Sequence, residues 1–378
     1  MTHTAVFSPA VGQPHRIGPN TAIRPPNAKS RGLSGWVKPP AALSAVLLGC
    51  LSSGCVGNAG SPIVSGVKPE KVAKARYAGE GPAWNAREGT LYYVGDNRIS
   101  KVVPGDVSRD YRNPVRGANG LLFDREGRLL ACEAGNRRVT RTEKNGSVTV
   151  LASAFAGKQL NSPNDLSVDS SGRVYFTDPR YGNRDTAEQR DASGSLVEGV
   201  YRIDAPGKVV RVLGRDSVDR PNGVLVSPDD KRLFVADNNN TAGGTRKLWR
   251  FDLRPDGSVD ARSRRLVFDW KTSRGPDGLK IDRRNRLYVA AGLNVENPPH
   301  ETAKPYTGGV YVFSYEGKRL DFISIPDDEV TNCAFGGPDL KTLYITAGGA
   351  LWSVRVDTPG TVVFDPLNPS PGRRSQTQ

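Results

Sequence analysis

Six oxygen-bearing residues recur at a common place along the chain: Glu80, Asn119, Asn164, Asn222, Asp277 and Asn332, spaced by 39, 45, 58, 55 and 55 residues. Each heads the same pattern of a polar residue, a short apolar stretch, a tight turn and a second apolar stretch. Asn164-Asp165-Leu166-Ser167-Val168-Asp169, followed by Ser170 to Thr177, shows it most plainly. It returns as Asn119-Gly120-Leu121 with Arg128-Leu129-Leu130, as Asn222-Gly223-Val224 with Arg232-Leu233-Phe234, and as Asp277-Gly278-Leu279 with Arg286-Leu287-Tyr288. Two carboxylates and four amides are hard oxygen donors of low total charge. They suit one divalent hard cation, Ca²⁺ first and Mg²⁺ or Mn²⁺ next, with Zn²⁺ behind because it prefers His and Cys. Asn-Gly and Asp-Gly also form turns without any ligand role. That reading covers single copies, but not Asn164-Asp165, Glu80-Gly81-Pro82, or an oxygen donor at the same place in every repeat.

The rest of the inventory narrows the chemistry. Of three histidines, His3 and His15 lie in an N-terminal extension, which leaves only His300 for the body of the chain. His300 sits in a Pro-rich loop with no nucleophile elbow near it, so a Ser-His-Asp triad is not supported. There is no Gly-rich phosphate loop and no His-Glu-x-x-His helix. A general base then has to be a carboxylate, with a cation giving electrophilic help.

Repeats of about 40–50 residues built from short strands mark propeller blades. In such a blade the innermost strand lines a central channel, so the six heads would converge there from up to some 250 positions apart. With 42 Gly and 28 Pro in 378 residues, composition agrees with a turn-rich all-β protein. The expected fold is a six-bladed β-propeller with a metal site in its channel. Its expected domains are a leader and linker over 1–66, the propeller over 67–365 and a tail over 366–378. Residues 70–78 are expected to close the ring against the last blade, because closure removes sheet edges. An insertion from Asp178 to Glu198 could cover the channel mouth. Cys132 and Cys333 read as buried free thiols, with a disulfide as the alternative.

Net charge is +14, of which six charges fall in the first 69 residues, where there is no Asp or Glu. The remaining basic residues are scattered, without aromatic interleaving, so nucleic acid is not an expected partner. The apolar run over 41–51 is too short to span a bilayer and reads as an export signal. Leu47-Leu48-Gly49-Cys50 resembles a bacterial lipobox. The expectation is an exported protein, periplasmic or held at the cell envelope by an N-terminal lipid, its only membrane attachment.

The motifs Glu80-Gly81-Pro82-Ala83-Trp84, Ser162-Pro163-Asn164-Asp165, Arg220-Pro221-Asn222-Gly223, Gly275-Pro276-Asp277-Gly278, Thr331-Asn332-Cys333-Ala334-Phe335-Gly336-Gly337 and Phe176-Thr177-Asp178-Pro179-Arg180-Tyr181-Gly182 stand along the chain. Together they resemble the regucalcin/gluconolactonase family of six-bladed propeller lactonases. The resemblance spans about residues 70–360. It implies a single catalytic divalent cation held by Glu80, Asn164, Asn222 and Asp277, and a small-molecule lactone as substrate. Regucalcin-type relatives carry Arg two residues before the Asn matching Asn164, where this chain has Ser162. On this reading Asp277 is both ligand and general base, with Asp165 as the reserve base. Asn119, Asn332 and Glu133 are the expected substrate-binding residues. The alternatives are a divalent-metal hydrolase of other esters or phosphotriesters, and a non-catalytic ligand-binding propeller.

Overall fold

A computed structural model describes residues 61–181 and 183–364. Six four-stranded antiparallel sheets succeed one another along the chain. Their inner strands are Glu80–Asn85, Ala118–Phe123, Leu166–Val168, Pro221–Val226, Pro276–Ile281 and Val330–Gly336. Each packs against the inner strands before and after it, and the last returns to the first, so the ring is a six-bladed propeller. The final blade takes its outer strand from the other end of the chain: Glu70 pairs with Ser353 and Lys71 with Trp352. The ladder itself is Glu70–Lys71, and the rest of the expected 70–78 closure adds single bonds to the same blade: Val72 N–H donates to Leu351 O at 2.8 Å and Ala78 N–H to Gly349 O at 2.9 Å. Among the described residues the only helical piece is the three-residue turn Ala134–Asn136, and no helix is long and apolar enough to cross a membrane. The first 60 residues, with the expected export signal, and the tail lie outside the described residues.

The core is divided among the seams between blades. Tyr288, Val310 and Val312 of blade five meet Cys333, Phe335 and Ile345 of blade six. Trp84, Leu91 and Tyr93 of blade one meet Tyr344 and Leu351 of blade six. The other four seams are built in the same way. Burying one such aromatic or branched side chain contributes about 1.5–3 kcal/mol, so every blade depends on both neighbours. Cys132 and Cys333 are free thiols buried in these seams.

The turns joining first and second strands explain the arginine that follows the apolar stretch in blades two, three and five. Asp169 accepts the backbone N–H of Ser171 and Arg173 at 2.9 and 3.0 Å and the Arg173 Nε–H at 2.6 Å. Asp124 and Asp282 clamp Arg128 and Arg286 in the same manner. These carboxylates and arginines tie down the end of the blades away from the strand heads. At that end the segment 360–364 crosses the axis. The Thr361 N–H donates to Ile281 O of blade five at 2.9 Å, and Phe364 packs between blades one and two. It covers a cavity of about 170 Å³ walled by Trp84, Phe123, Val168, Val226, Ile281 and Phe335.

Candidate functional site

The six heads meet because five of the inner strands start with an irregularity and neighbouring heads approach closely. In blade four Pro221 faces Asp237 but Val224 faces Val235, which leaves one extra residue in the inner strand. The same slip occurs in blades one, two, five and six. A bulge of this kind re-aims a side chain that regular alternation would point elsewhere. A glycine after the head then admits the next blade. A Cβ on Gly81 would stand 2.1 Å from Asn119 O, one on Gly223 2.2 Å from Asp277 O, and one on Gly278 2.1 Å from the Asn332 amide. Gly120 N–H donates to Asn164 O at 2.7 Å. The Thr177 hydroxyl donates to Asn222 O, and Asn332 Nδ2 donates to Glu80 Oε2 at 3.4 Å. These contacts run Glu80, Asn119, Asn164, Asn222, Asp277, Asn332 and back to Glu80, so all six expected positions share one end of the channel. Blade three differs. Its head Asn164 precedes the strand, and Asp165 fills the place that glycine holds in blades one, two, four and five and Cys333 holds in blade six.

Aspartates brace two of the heads from below. Asp178 accepts the N–H groups of Asn161 and Ser162, each at 2.8 Å, and so fixes the entry to Asn164. Asp237 accepts those of Asp219 and Arg220 at 3.0 and 2.7 Å and fixes the entry to Asn222. Burial pushes Asp178 up to about 7 and Asp237 up to about 6.

The site gathers negative charge in a dry place. Burial first, then the charges of Asp277 and Asp165, push the Glu80 carboxyl well above the carboxylate range. Burial also pushes Asp277 up to about 6, against the pull of the Arg274 guanidinium, whose Nη2–H donates to Asp277 Oδ2 at 3.0 Å. Asp165 is raised by burial and opposed by the charge of Lys280. Its Oδ1 accepts the Leu166 N–H at 2.9 Å, while its Oδ2 is buried without a partner. Asn222 Oδ1 and Asn119 Oδ1 are likewise buried and unpartnered. Asn332 is more committed: its Oδ1 accepts the Cys333 N–H at 2.9 Å and faces Lys280 Nζ at 3.5 Å.

Orphaned buried oxygens beside carboxylates that repel one another are what a hard cation resolves, since unpaired polar atoms in a dry site are costly. Of the four expected ligands, Asn164, Asn222 and Asp277 are 3–7 % exposed and Glu80 is partly buried, and all offer oxygen. Only two of them are acidic, and among the described residues no three Asp, Glu, His or Cys side chains gather as a metal cluster. A cation here has to draw on amide oxygens, which fits Ca²⁺ and disfavours Zn²⁺.

Three neighbours went unnoticed in the sequence. Arg274, three residues before Asp277, is buried against it. Lys280 reaches the channel from the strand that Asp277 heads. Tyr181 enters from the insertion in blade three and accepts a hydrogen bond from Asn222 Nδ2 at 3.1 Å. Arg274 had a sequence signal, a lone cation just ahead of the Pro-Asp-Gly turn, and Tyr181 stands within the Phe176–Gly182 motif; Lys280 had none.

Glu133, an expected substrate-binding residue, has a different task. Its fully buried carboxylate accepts hydrogen bonds from Arg112 at 2.7 Å, Arg138 at 2.7 Å, Thr140 at 2.8 Å and Asn136 at 2.8 Å. Both oxygens are committed to blades one and two, which leaves neither for a ligand. Burial would raise its pKa, but those four bonds outweigh it and hold the group below the usual value. Glu133→Gln is expected to lower stability by about 2–4 kcal/mol, by uncovering Arg112 and Arg138. It should leave the Michaelis constant for any substrate unchanged. Urea unfolding beside steady-state kinetics checks both halves, and a raised Michaelis constant in a stable variant would restore Glu133 to the pocket.

Comparison with known proteins agrees with this fold. The model of the SMP-30/gluconolactonase/LRE-like region matches residues 78–349. A gluconolactonase of Zymomonas mobilis is 28 % identical over 284 residues, covering 73 % of this chain and 72 % of the relative. A pentonolactonase of Haloferax volcanii is 28 % identical over 277 residues, covering 72 % and 81 %. Among solved structures, a gluconolactonase from Xanthomonas campestris superposes with a TM-score of 0.63 at 27 % identity, covering 78 % of this chain and 92 % of that one.

Proposed function

Since the chain belongs to the SMP-30/gluconolactonase/LRE-like family, we propose that it is a cation-dependent hydrolase that opens the ring of a sugar lactone or a related lactone. The observation that carries this reading is the closed circle of six strand heads with buried, unpartnered amide and carboxylate oxygens at one end of the channel. Glu80, Asn164, Asn222 and Asp277 would hold the cation, Ca²⁺ in the first place. When bound, the cation supplies Lewis-acid polarisation of the lactone carbonyl.

The remaining work falls to the chain's own side chains. Arg274 engages Asp277 Oδ2, which keeps that carboxylate in one orientation and favours its charged form. Burial raises Asp277 to about 6 in the cation-free chain; in its charged form it is the carboxylate assigned to take a proton from the attacking water. Asp165 Oδ2 is a buried carboxylate oxygen without a hydrogen-bond partner, and Asp165 is the reserve base. Asn119, with a free Oδ1, can accept a hydrogen bond from a substrate hydroxyl, whereas Asn332 is held by Cys333 and Lys280 and serves the wall. Lys280 offsets part of the carboxylate charge.

The test is a panel of aldono-lactones, aliphatic lactones, aryl esters and phosphotriesters, assayed after chelation and again with Ca²⁺, Mg²⁺, Mn²⁺ or Zn²⁺ restored. Turnover of lactones that follows the cation is the expected result. Turnover confined to phosphotriesters, or none across the panel with cation present, would overturn it.

A further inference from the structure

Tyr181 belongs to the segment Phe176-Thr177-Asp178-Pro179-Arg180-Tyr181, and nothing in the proposed chemistry uses it. Its place is nevertheless specific. Its hydroxyl donates to the backbone carbonyl of Asn238 at 3.0 Å and lies 3.1 Å from Asn222 Nδ2. A phenol has one proton, and a carbonyl oxygen can only accept, so that proton is committed to Asn238. Toward Asn222 the hydroxyl can then only accept. The Asn222 side chain must turn its NH₂ to Tyr181, and its carbonyl oxygen must face the other way. That oxygen, in a residue 4 % exposed, is buried in the channel and has no partner there. Which way the amide lies is thus settled by proton counting on the tyrosine.

The ring is held as firmly as the hydroxyl. The Arg220 guanidinium lies over it, 5.3 Å from its centroid. Arg220 is itself fixed by Asn240 Oδ1 at 2.8 Å and by Glu198 Oε1 at 3.2 Å. Glu198 also accepts the Arg180 N–H at 2.6 Å and pairs with Arg184, so it ties both ends of the insertion to blade four.

We propose that Tyr181 is a positioning residue, which fixes the amide of Asn222 so that its oxygen is presented to the cation. This rests on the assignment of Asn222 as a ligand in the preceding reading. Partners that orient a ligand from behind commonly change cation affinity by about 10–100-fold.

The experiment is calorimetric titration of the chelator-stripped full chain with CaCl₂, for the wild type, Tyr181→Phe, Asn222→Asp and the double variant. Tyr181→Phe keeps the ring over Arg220 and removes only the hydroxyl. It should raise the Ca²⁺ dissociation constant about tenfold. Its cation-free thermal midpoint should stay near that of the wild type. An aspartate at 222 shows an oxygen in both directions, so no orientation remains to be set. The tyrosine lone pair would moreover oppose that oxygen. Adding Tyr181→Phe to Asn222→Asp should therefore cost no more than about twofold, a clear failure of additivity between contacting residues. An unchanged dissociation constant in Tyr181→Phe, or the same loss in both backgrounds, overturns the proposal while the cation site stands. Absence of Ca²⁺ binding by the wild type overturns the cation site and the proposal together.

Discussion

Asp277→Asn is expected to cut lactone turnover by about 10²–10⁴-fold, the usual worth of a positioned general base. The substitution is nearly isosteric, and Asn-Gly serves the turn ahead of Gly278 as well as Asp-Gly does. The bulge at Pro276–Leu279 and the approach of Gly223 to the residue 277 carbonyl both involve backbone, so the fold should persist. Two electrostatic changes follow. Arg274, which donates to Asp277 Oδ2, keeps an oxygen partner but loses its nearest charge and retains Glu329 at 3.4 Å. The cation set keeps its oxygen but loses one of two formal charges, so Ca²⁺ should bind more weakly. The decisive comparison is turnover at saturating Ca²⁺, with occupancy verified by titration. If full occupancy restores wild-type turnover, Asp277 is a ligand only, and the base is Asp165.

Removing the cation is expected to have the other large effect, loss of turnover to background together with a fall in stability that grows with pH. A cation at a thousand times its dissociation constant stabilises the folded chain by about 4 kcal/mol. At about 2 °C per kcal/mol for a domain of this size, the melting midpoint should drop roughly 8 °C on chelation. The pH dependence follows from the raised carboxyls. In the cation-free protein, Glu80 and Asp277 bind protons more tightly folded than unfolded, with Asp277 near 6. Their contribution to stability is complete below the unfolded carboxylate range and is lost as pH rises through the folded value. A bound cation needs the charged forms and removes that loss. Asp178 near 7 and Asp237 near 6 decline in the same direction, with or without cation, and cancel in the difference. The gap between loaded and chelated midpoints should widen from pH 5 to pH 8. A midpoint indifferent to chelation at pH 8 would remove the cation from the channel.

The repeat and its heads were legible because two local rules act together in most blades. Apolar alternation marks the inner and second strands, and a polar residue with glycine marks the point where neighbouring backbones touch. Gly81, Gly223 and Gly278 meet the next head so closely that their spacing reports a tertiary contact. What stayed hidden depends on geometry with no period. Tyr181 comes from an insertion found in one blade only. Lys280 sits beyond the bulge at the head of its strand, so simple alternation from Asp277 misplaces it. Glu133 was misread because its strand end lies near the channel mouth. Nothing local shows that Arg112 of one blade and Arg138 of the next strand both turn toward it. The Asp-to-Arg clamps were visible as spacing, Asp169 with Arg173 and Asp282 with Arg286, but read as ordinary turns.

The last blade is finished by a strand from the beginning of the chain, Glu70 against Ser353, and this orders events in time. Joining residues so far apart costs chain entropy of about 5 kcal/mol for a loop of that length, which local contacts cannot offset until most blades are in place. Glu80 and Asn332, hydrogen-bonded across the same junction, lie on opposite sides of it. At about 5–20 residues per second, Asn332 is synthesised on the order of 10–50 s after Glu80. A nascent chain therefore carries exposed strand edges for that interval. On the proposed ligand assignment, an ion held by Glu80 and Asp277 would act as a latch, joining the first and fifth blades and opposing reopening where the covalent chain gives no restraint.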